Sequence, residues 1–599
     1  MPAASDDASN NPTRSNPSNE SDPMNQTRTF LFVAWLMLAY FVWQAWQQDH
    51  AVPQVAAAST AAAAGVPSAP TEAGVAVPKP MPAIPTATSA DAKPGAAPVA
   101  NTDAGAASAV AAPPVVLDND LLRLRIDPLG ARVIGAQLLA YGQTAARNSP
   151  PVKLLDDDAS DLFVAESGLV SKGPAPNHQS VYQVEGGSAG KTIAKGDASV
   201  AQSFLWTDPS GVTVRKTYTL KRGSYAIDVH EEIHNGSASP WSGNDYRQLR
   251  RVPPIIKKTG GLTNPESYSF VGAAWYSPED KYETRALTKY DDPLDKTVTG
   301  GWMAMVQHYF LAAWIPDAKE PAKLSIATDP GNGGPIYRVI SQGPLLQVPP
   351  GGTRSIDARL YVGPKLQDTL PTVAPGLGLT VDYGWFTIFA GPLFWLLSKL
   401  HWLLGNWGWS IIALVLLIKL AMFKLSEAQY KSMAKMRAVQ PRLEALKERY
   451  GDDKQQYNMA MMELYKKEKI NPAGGCLPML VQIPIFFALY RVLLESIELR
   501  HAPWFGWIHS LSDQDPYFIL PALNMIVMIA TQRLTPSPGM DPMQKRMMQI
   551  MPLAFGIMFA FFPAGLVLYW VTNGSLGLLQ QWWLMRKHGA PGTAVAKSR

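Results

Sequence analysis

The sequence predicts a multi-domain protein: an α-helical polytopic membrane core, five core spans plus an N-terminal anchor span, joined to an all-β sandwich domain outside the cytoplasm. Three observations predict it. Residues 116–375 break into short runs of alternating apolar and polar residues separated by Gly and Pro. From Tyr383 onward, long apolar runs crowd the chain. Lysine and arginine gather in alternate connections between those runs, as the positive-inside bias requires. At 599 residues the chain exceeds one ordinary domain.

Residues 1–28 are rich in Ser, Asn, Asp and Pro and read as a disordered cytoplasmic tail. Residues 29–46 contain the aromatic-rich run Phe30 to Trp46, where a signal peptide and an uncleaved anchor compete. Ala56-Ala57-Ala58 would serve as the cleavage site; Trp43 and Trp46 look like interfacial belt residues and favour the anchor. Residues 47–115 are mostly Ala and Pro, an extended linker. Inside 116–375, the runs 121–126, 212–220 and 225–230 alternate, with a turn at Arg222-Gly223. Many short strands with no long helical period suggest a sandwich.

Candidate spans follow at 406–425, 474–494, 517–532, 547–562 and 566–585, the last four lying within 473–585. Residues 385–404 are apolar but interrupted by Pro392, Lys399 and His401. Topology arbitrates. The segment 424–472 has eleven Lys and Arg and belongs in the cytoplasm. One anchor plus five spans puts that loop, the loop 533–546 and the basic tail 586–599 all inside; a sixth crossing by 385–404 would put them outside. Residues 376–405 therefore read as an amphipathic helix at the outer interface. Residues 426–472 read as a cytoplasmic helical hairpin whose arms meet at Tyr450-Gly451-Asp452-Asp453. Its Met433, Met436, Arg437, Met461 and Met462 form a candidate recruitment surface. The methionines either hold the hairpin together or offer an adaptable surface to varied apolar segments. The basic charge fits positive-inside bias or a dock for ribosomal RNA.

The polar inventory of the spans points to function. Lys419 lies six residues from the end of 406–425, roughly 9 Å of helix rise. A cation at depth costs about 2.5–3.5 kcal/mol on insertion scales, so it snorkels, pairs or faces water. The candidate spans contain no Asp or Glu, which leaves no evident buried carboxylate for it. Neutral polar groups recur at helical spacing elsewhere: Tyr569, Thr572, Asn573 and Gln580; Asn524, Thr531 and Gln532; and Gln482 between Pro478 and Pro484. Each alone reads as an interhelical hydrogen bond. Together with an unpaired cation they favour a wet cavity. Without acidic relays or an inverted repeat, a pump or coupled transporter is disfavoured, and a passive polar groove is favoured.

Two motifs invite other chemistry. His230-Glu-Glu-Ile-His234 matches the zincin pattern, which would suggest an envelope hydrolase. It continues an alternating strand, however, where Glu231 faces away from both histidines. Gly186 to Thr192 resembles a phosphate loop but has Glu185 where glycine is needed. The single cysteine, Cys476, excludes an intramolecular disulfide framework and any Cys-rich metal site; no cofactor is expected. A net charge of +5 does not demand a nucleic-acid partner, and no DNA partner is expected.

Several segments (SMAKMRAVQP at 432–441, NPAGGCLP at 471–478, QIPIFFALY at 482–490, QDPYFILP at 514–521, DPMQ at 541–544 and FPAGLVLY at 562–569) closely resemble the YidC/Oxa1/Alb3 membrane insertases. The resemblance is strong over about 380–585. Upstream, the order of anchor, linker and large outer domain is similar to the Gram-negative bacterial form. It implies a non-enzymatic membrane insertase and chaperone of the inner membrane, with both termini cytoplasmic and the β domain periplasmic. It implies a hydrophilic groove formed by Lys419, Gln482, Asn524, Gln532, Tyr569, Trp570, Thr572 and Asn573. The implied partners are nascent membrane proteins, the ribosome and signal-recognition pathway, the Sec translocon and membrane lipids. Lys419 stands where the family usually has Arg, so charge is kept while planar bidentate donation is lost. Tyr569-Trp570 stands where the family commonly has two tyrosines. The outer domain of relatives resembles sugar-mutarotase sandwiches, but no catalytic set for that chemistry is legible.

Overall fold

Every second side chain of the strand Val212–Lys221 is buried: Val212, Val214, Lys216, Tyr218 and Leu220. The strand Ala226–Asn235 pairs with it antiparallel, Ile227 opposite Leu220. The turn between them needs a left-handed backbone, which Gly223 supplies at φ +68°. Repeated along the chain, this pattern yields two sheets, of ten and nine strands among the described residues. The computed structural model describes residues 112–187, 190–254, 269–290, 293–331, 334–451, 453–469, 477–534 and 542–588. The predicted N-terminal tail, the anchor, most of the linker, Cys476 and residues 589–599 lie outside them.

Named strand pairs are antiparallel except Val115–Asp118 with Lys191–Thr192, so the end of the phosphate-loop-like segment is sheet. The two sheets enclose an apolar core in which Trp275, Trp302 and Trp314 are fully buried. Such side chains are the largest single contributions to burial, and two of the three indole N–H groups find an acceptor, while that of Trp275 has none among the described residues. Trp314 donates to the Gln248 carbonyl at 3.1 Å and Trp302 to the Pro375 carbonyl at 2.9 Å. Lys216 is the exception on its apolar face. Its Nζ donates to Ser167 Oγ at 2.9 Å and lies 3.4 Å from Glu231, while Ser167 donates to the same carboxylate at 2.9 Å. Burial raises the Glu231 carboxyl, but Lys216, Arg247 and the Ser167 hydroxyl outweigh it and hold it below the usual range. Glu231 thus points into the sandwich, whereas His230 and His234 sit exposed against Asp357 and Thr353, as strand alternation requires.

Past the last strand, Thr353–Pro364, a one-turn helix at Leu370–Val373 leads into the helical region. Its helices are α1 (Thr387–Leu404), α2 (Trp407–Ala421), α3 (Phe423–Ala438), α4 (Gln440–Tyr450), α5 (Lys454–Lys467), α6 (Leu477–Glu495), α7 (Ile519–Leu534), α8 (Pro542–Phe559) and α9 (Ala564–His588). Two boundaries differ from the sequence expectation. The predicted span 406–425 ends at Ala421, where α2 and α3 are bent by 62° across Met422. The predicted two-armed hairpin has a broken first arm: α3 stops at Ala438 and α4 restarts at Gln440. Pro441, in the first turn of α4, has no N–H to continue the earlier ladder.

Among the described residues, Gly384–Leu404 is long and apolar enough to cross a membrane, and the bent α2–α3 pair qualifies if taken as one span. The exposed side of α1 is apolar, carrying Ile388, Trp395, Trp402 and Leu403, and Trp385 in the turn just before it is 98% exposed. α1 packs on α2 and α6; α9 packs on α2, α7 and α3; α7 packs on α8. The β domain docks on the C-terminal end of α6 and the residues that follow it. Arg500 donates to the carbonyls of Gly142 (2.8 Å) and Gln143 (3.3 Å), and its guanidinium lies over Tyr309 and Phe310. His308 Nε2 donates to the Leu494 carbonyl at 2.9 Å. Burial and the nearby cations push that imidazole down to about 3, so it is neutral and keeps one N–H.

Candidate functional site

α9 positions most of the candidate site. Tyr569, Asn573, Gly577 and Gln580 are spaced by four, four and three residues and share one stripe of the helix. At the outer end of the stripe, Gln482 on α6 donates its Nε2 to Tyr569 Oη at 2.8 Å. Tyr569 is 1% exposed, and its ring stacks on Phe486 at 6.3 Å. Phe486 and Phe559 flank Trp570 at 5.0 and 5.4 Å. Eight residues further along α9, roughly 12 Å of rise, the stripe reaches Gly577. Lys419 Nζ rides over this glycine: a Cβ there would lie 3.7 Å from the ammonium. A branched side chain at 577 would occupy the space the lysine uses.

Lys419 is half-buried and makes no hydrogen bond or ion pair with any described residue. The Trp570 indole nitrogen and Gln580 Nε2 are also buried without a partner. An unpaired, partly accessible ammonium suits a ligand rich in carbonyl and carboxylate oxygens.

The other predicted residues are used in different ways. Thr572 is buried and Asn573 half-buried on α9. Asn524 is buried in α7 and meets Met528 Sδ of its own helix at 3.8 Å. Gln532 turns to α8, where its amide donates to the Met548 carbonyl, and so ties two helices. Neither Asn524 nor Gln532 is hydrogen-bonded to Lys419, Gln482 or Tyr569.

Two family profiles match almost the whole described chain: YidC periplasmic domain over residues 114–396 and 60Kd inner membrane protein over residues 399–590. A membrane protein insertase YidC from Xanthomonas euvesicatoria pv. vesicatoria (strain 85-10) is 50% identical over 586 residues, covering 96% of this chain and 100% of its own. The chain belongs to the YidC membrane insertase family. A second relative, from Stenotrophomonas maltophilia (strain R551-3), is 48% identical and covers 94% of this chain and 97% of its own. A crystal structure of an active YidC insertase with its first transmembrane domain resolved aligns over 78% of this chain and 94% of its own, at 18% identity and a TM-score of 0.35.

In this insertase, the hairpin side of the molecule shows where two of its methionine-rich surfaces go. Met436, Met461 and Met462 pack half-buried against a cluster of Val439, Leu443 and Tyr465, leaving Met459 exposed. The side chains of Met433 and Arg437 lie outside the described residues. Sequence reasoning missed three participants. Phe486 was masked by its apolar neighbours. Gly577 continues the Tyr569–Asn573 spacing but offers no polar atom to notice. Tyr430 lies in what read as hairpin, yet its hydroxyl donates to the Gly577 carbonyl at 3.4 Å.

Proposed function

We propose that this chain inserts and helps fold nascent integral membrane proteins by receiving the hydrophilic flank of an incoming span in the groove between Lys419 and the Gln482–Tyr569 pair. The observation that carries the reading is Lys419: half-buried, unpaired among the described residues, and over Gly577 on the α9 stripe that also holds Tyr569 and Asn573. A partnerless ammonium in a low-dielectric region is costly at rest. An acidic or carbonyl-rich segment lowers that cost while bound, and the apolar span leaves along Phe486, Tyr569 and Trp570 into lipid. Membrane potential adds ~2.3 kcal/mol per charge per 100 mV for acidic flanks. The role is non-enzymatic.

The topology we infer has both termini cytoplasmic, an N-terminal anchor, five core spans formed by α2 and α6 to α9, and α1 lying at the periplasmic interface. The charge parity of the loops supports it. So does the link from α1 to α2, where the Asn406 amide donates to the carbonyls of Pro503 and Trp504 in the outer loop. The basic hairpin with its exposed Met459 is the side for ribosome and signal-recognition contacts. Cooperation with the Sec translocon for some substrates belongs to the same reading.

Photo-crosslinkers placed at positions 419, 482 and 569 test it. Ribosome-bound nascent spans are expected to form adducts at all three positions. Repeated absence of adducts, with insertion still proceeding, would falsify the groove.

A further inference from the structure

Two side chains converge on Gly577 from opposite sides of the Met422 bend. Lys419, on α2, lays its ammonium over the glycine; Tyr430, on α3, donates its hydroxyl to the glycine carbonyl at 3.4 Å. The helix α3 therefore folds back along α9: Phe423 meets the Trp583 ring at 5.9 Å, and Tyr430, seven residues on, reaches six residues back toward the groove. We propose that Tyr430 is a positioning residue of the groove, holding α3 across the hairpin side of Lys419 so that substrate entering from that side reaches the ammonium only after the Tyr430–Gly577 bond opens. This rests on the groove reading above.

The chemistry suits a bond made to be exchanged. A helix carbonyl already accepts from the N–H four residues on, so the Tyr430 hydroxyl uses its second lone pair. The 3.4 Å separation exceeds the usual O–H···O range of about 2.5–3.0 Å, so the bond is weak. An incoming polar segment carries its own carbonyl oxygens, and one of these can take over the hydroxyl with little net loss. A residue without a side chain leaves room for both groups: a Cβ at 577 would already be in van der Waals contact with the ammonium at 3.7 Å, and a longer side chain would compete for its place.

The test measures access, not insertion. Lys419→Cys is placed in a Cys476→Ser background, which removes the chain's one native cysteine. Inverted membrane vesicles are then treated with a charged, membrane-impermeant maleimide. The Tyr430→Phe partner, which keeps the ring and loses the bond, is expected to label about 5- to 10-fold faster than the Tyr430 parent. Equal rates, within twofold, overturn the proposal. Leu414→Cys, fully buried on the same helix, reports general loosening; a parallel rise there also counts against it. Nascent-chain adducts at position 482 are scored separately. If those form and the labelling rates are equal, the groove stands and the role of Tyr430 falls; if they are absent in the parent, the groove reading falls.

Discussion

At the scale of single residues, Lys216 and Lys419 both occupy apolar faces and have opposite fates. Lys216 is enclosed by Ser167 and Glu231 and has no access to solvent. Removing one partner of such a pair leaves a buried charge and costs about 3–5 kcal/mol, whereas replacing both by apolar groups is often neutral. Lys216→Met is therefore expected to destabilise the β domain by that amount in a denaturant titration. Adding Glu231→Leu should recover most of the loss; no recovery would mean that the pair is not energetically coupled. Lys419 has no such partner among the described residues; under the proposed function it meets one in the substrate. Lys419→Arg keeps the charge. Lys419→Ala is expected to slow insertion of substrates with acidic flanks about tenfold, equivalent to ~1.4 kcal/mol. Equal defects in the two variants, measured by protease protection of the translocated flank, would show that charge is not what the position supplies.

At the scale of elements, the helical region depends on how closely α9 approaches its neighbours. Gly574 faces Val527 on α7, and a Cβ at 574 would lie 2.7 Å from Val527 Cγ1. Gly574→Ala is expected to push α7 and α9 apart and cost about 1–3 kcal/mol of stability. Val527→Ala should restore it in the double variant; thermal unfolding in detergent checks both. α7 itself starts where Asp515 accepts the Leu520 N–H at 2.7 Å, while the other carboxylate oxygen takes the Trp507 indole at 2.9 Å. One acidic side chain thereby caps the helix and fixes the outer loop. The sequence showed these elements through apolar length, but not the break at Met422. Met422, Phe423 and Leu425 carry the apolar run past it, and the bend is visible only in three dimensions, where α3 packs back on α9.

At the scale of the whole molecule, the β domain and helical region meet through buried polar contacts at the outer end of α6. Glu498 accepts the Gln367 N–H at 3.3 Å, and its other oxygen has no partner. Burial pushes its carboxyl up to about 7, with Asp368 adding to the rise and the backbone hydrogen bonds opposing it. A raised acid contributes fully below its ordinary pKa and loses that contribution as pH rises through its folded value. The junction should therefore loosen between about pH 4.5 and 7 relative to a variant that cannot ionise. Glu498→Gln is expected to slow amide exchange around residues 366–373 at pH 8 and to match the parent at pH 5. A difference that grows on acidification would contradict this sign.

Read alone, the amino-acid sequence carries the division into a β domain and a membrane core, the strand assignment of His230-Glu-Glu-Ile-His234, and a lysine within an apolar run whose candidate spans hold no Asp or Glu. Those follow from local periodicity and composition, which need no knowledge of neighbours. Tertiary structure decided what those residues face. Gln482 and Tyr569 are 87 residues apart and meet only because α6 and α9 are adjacent. Gln532 had the same polar signature, yet it ties α7 to α8. Gly577 was silent in the sequence because its contribution is an absence of side chain. Its meaning appears only once α2, α3 and α9 bring Lys419 and Tyr430 over the same backbone atoms.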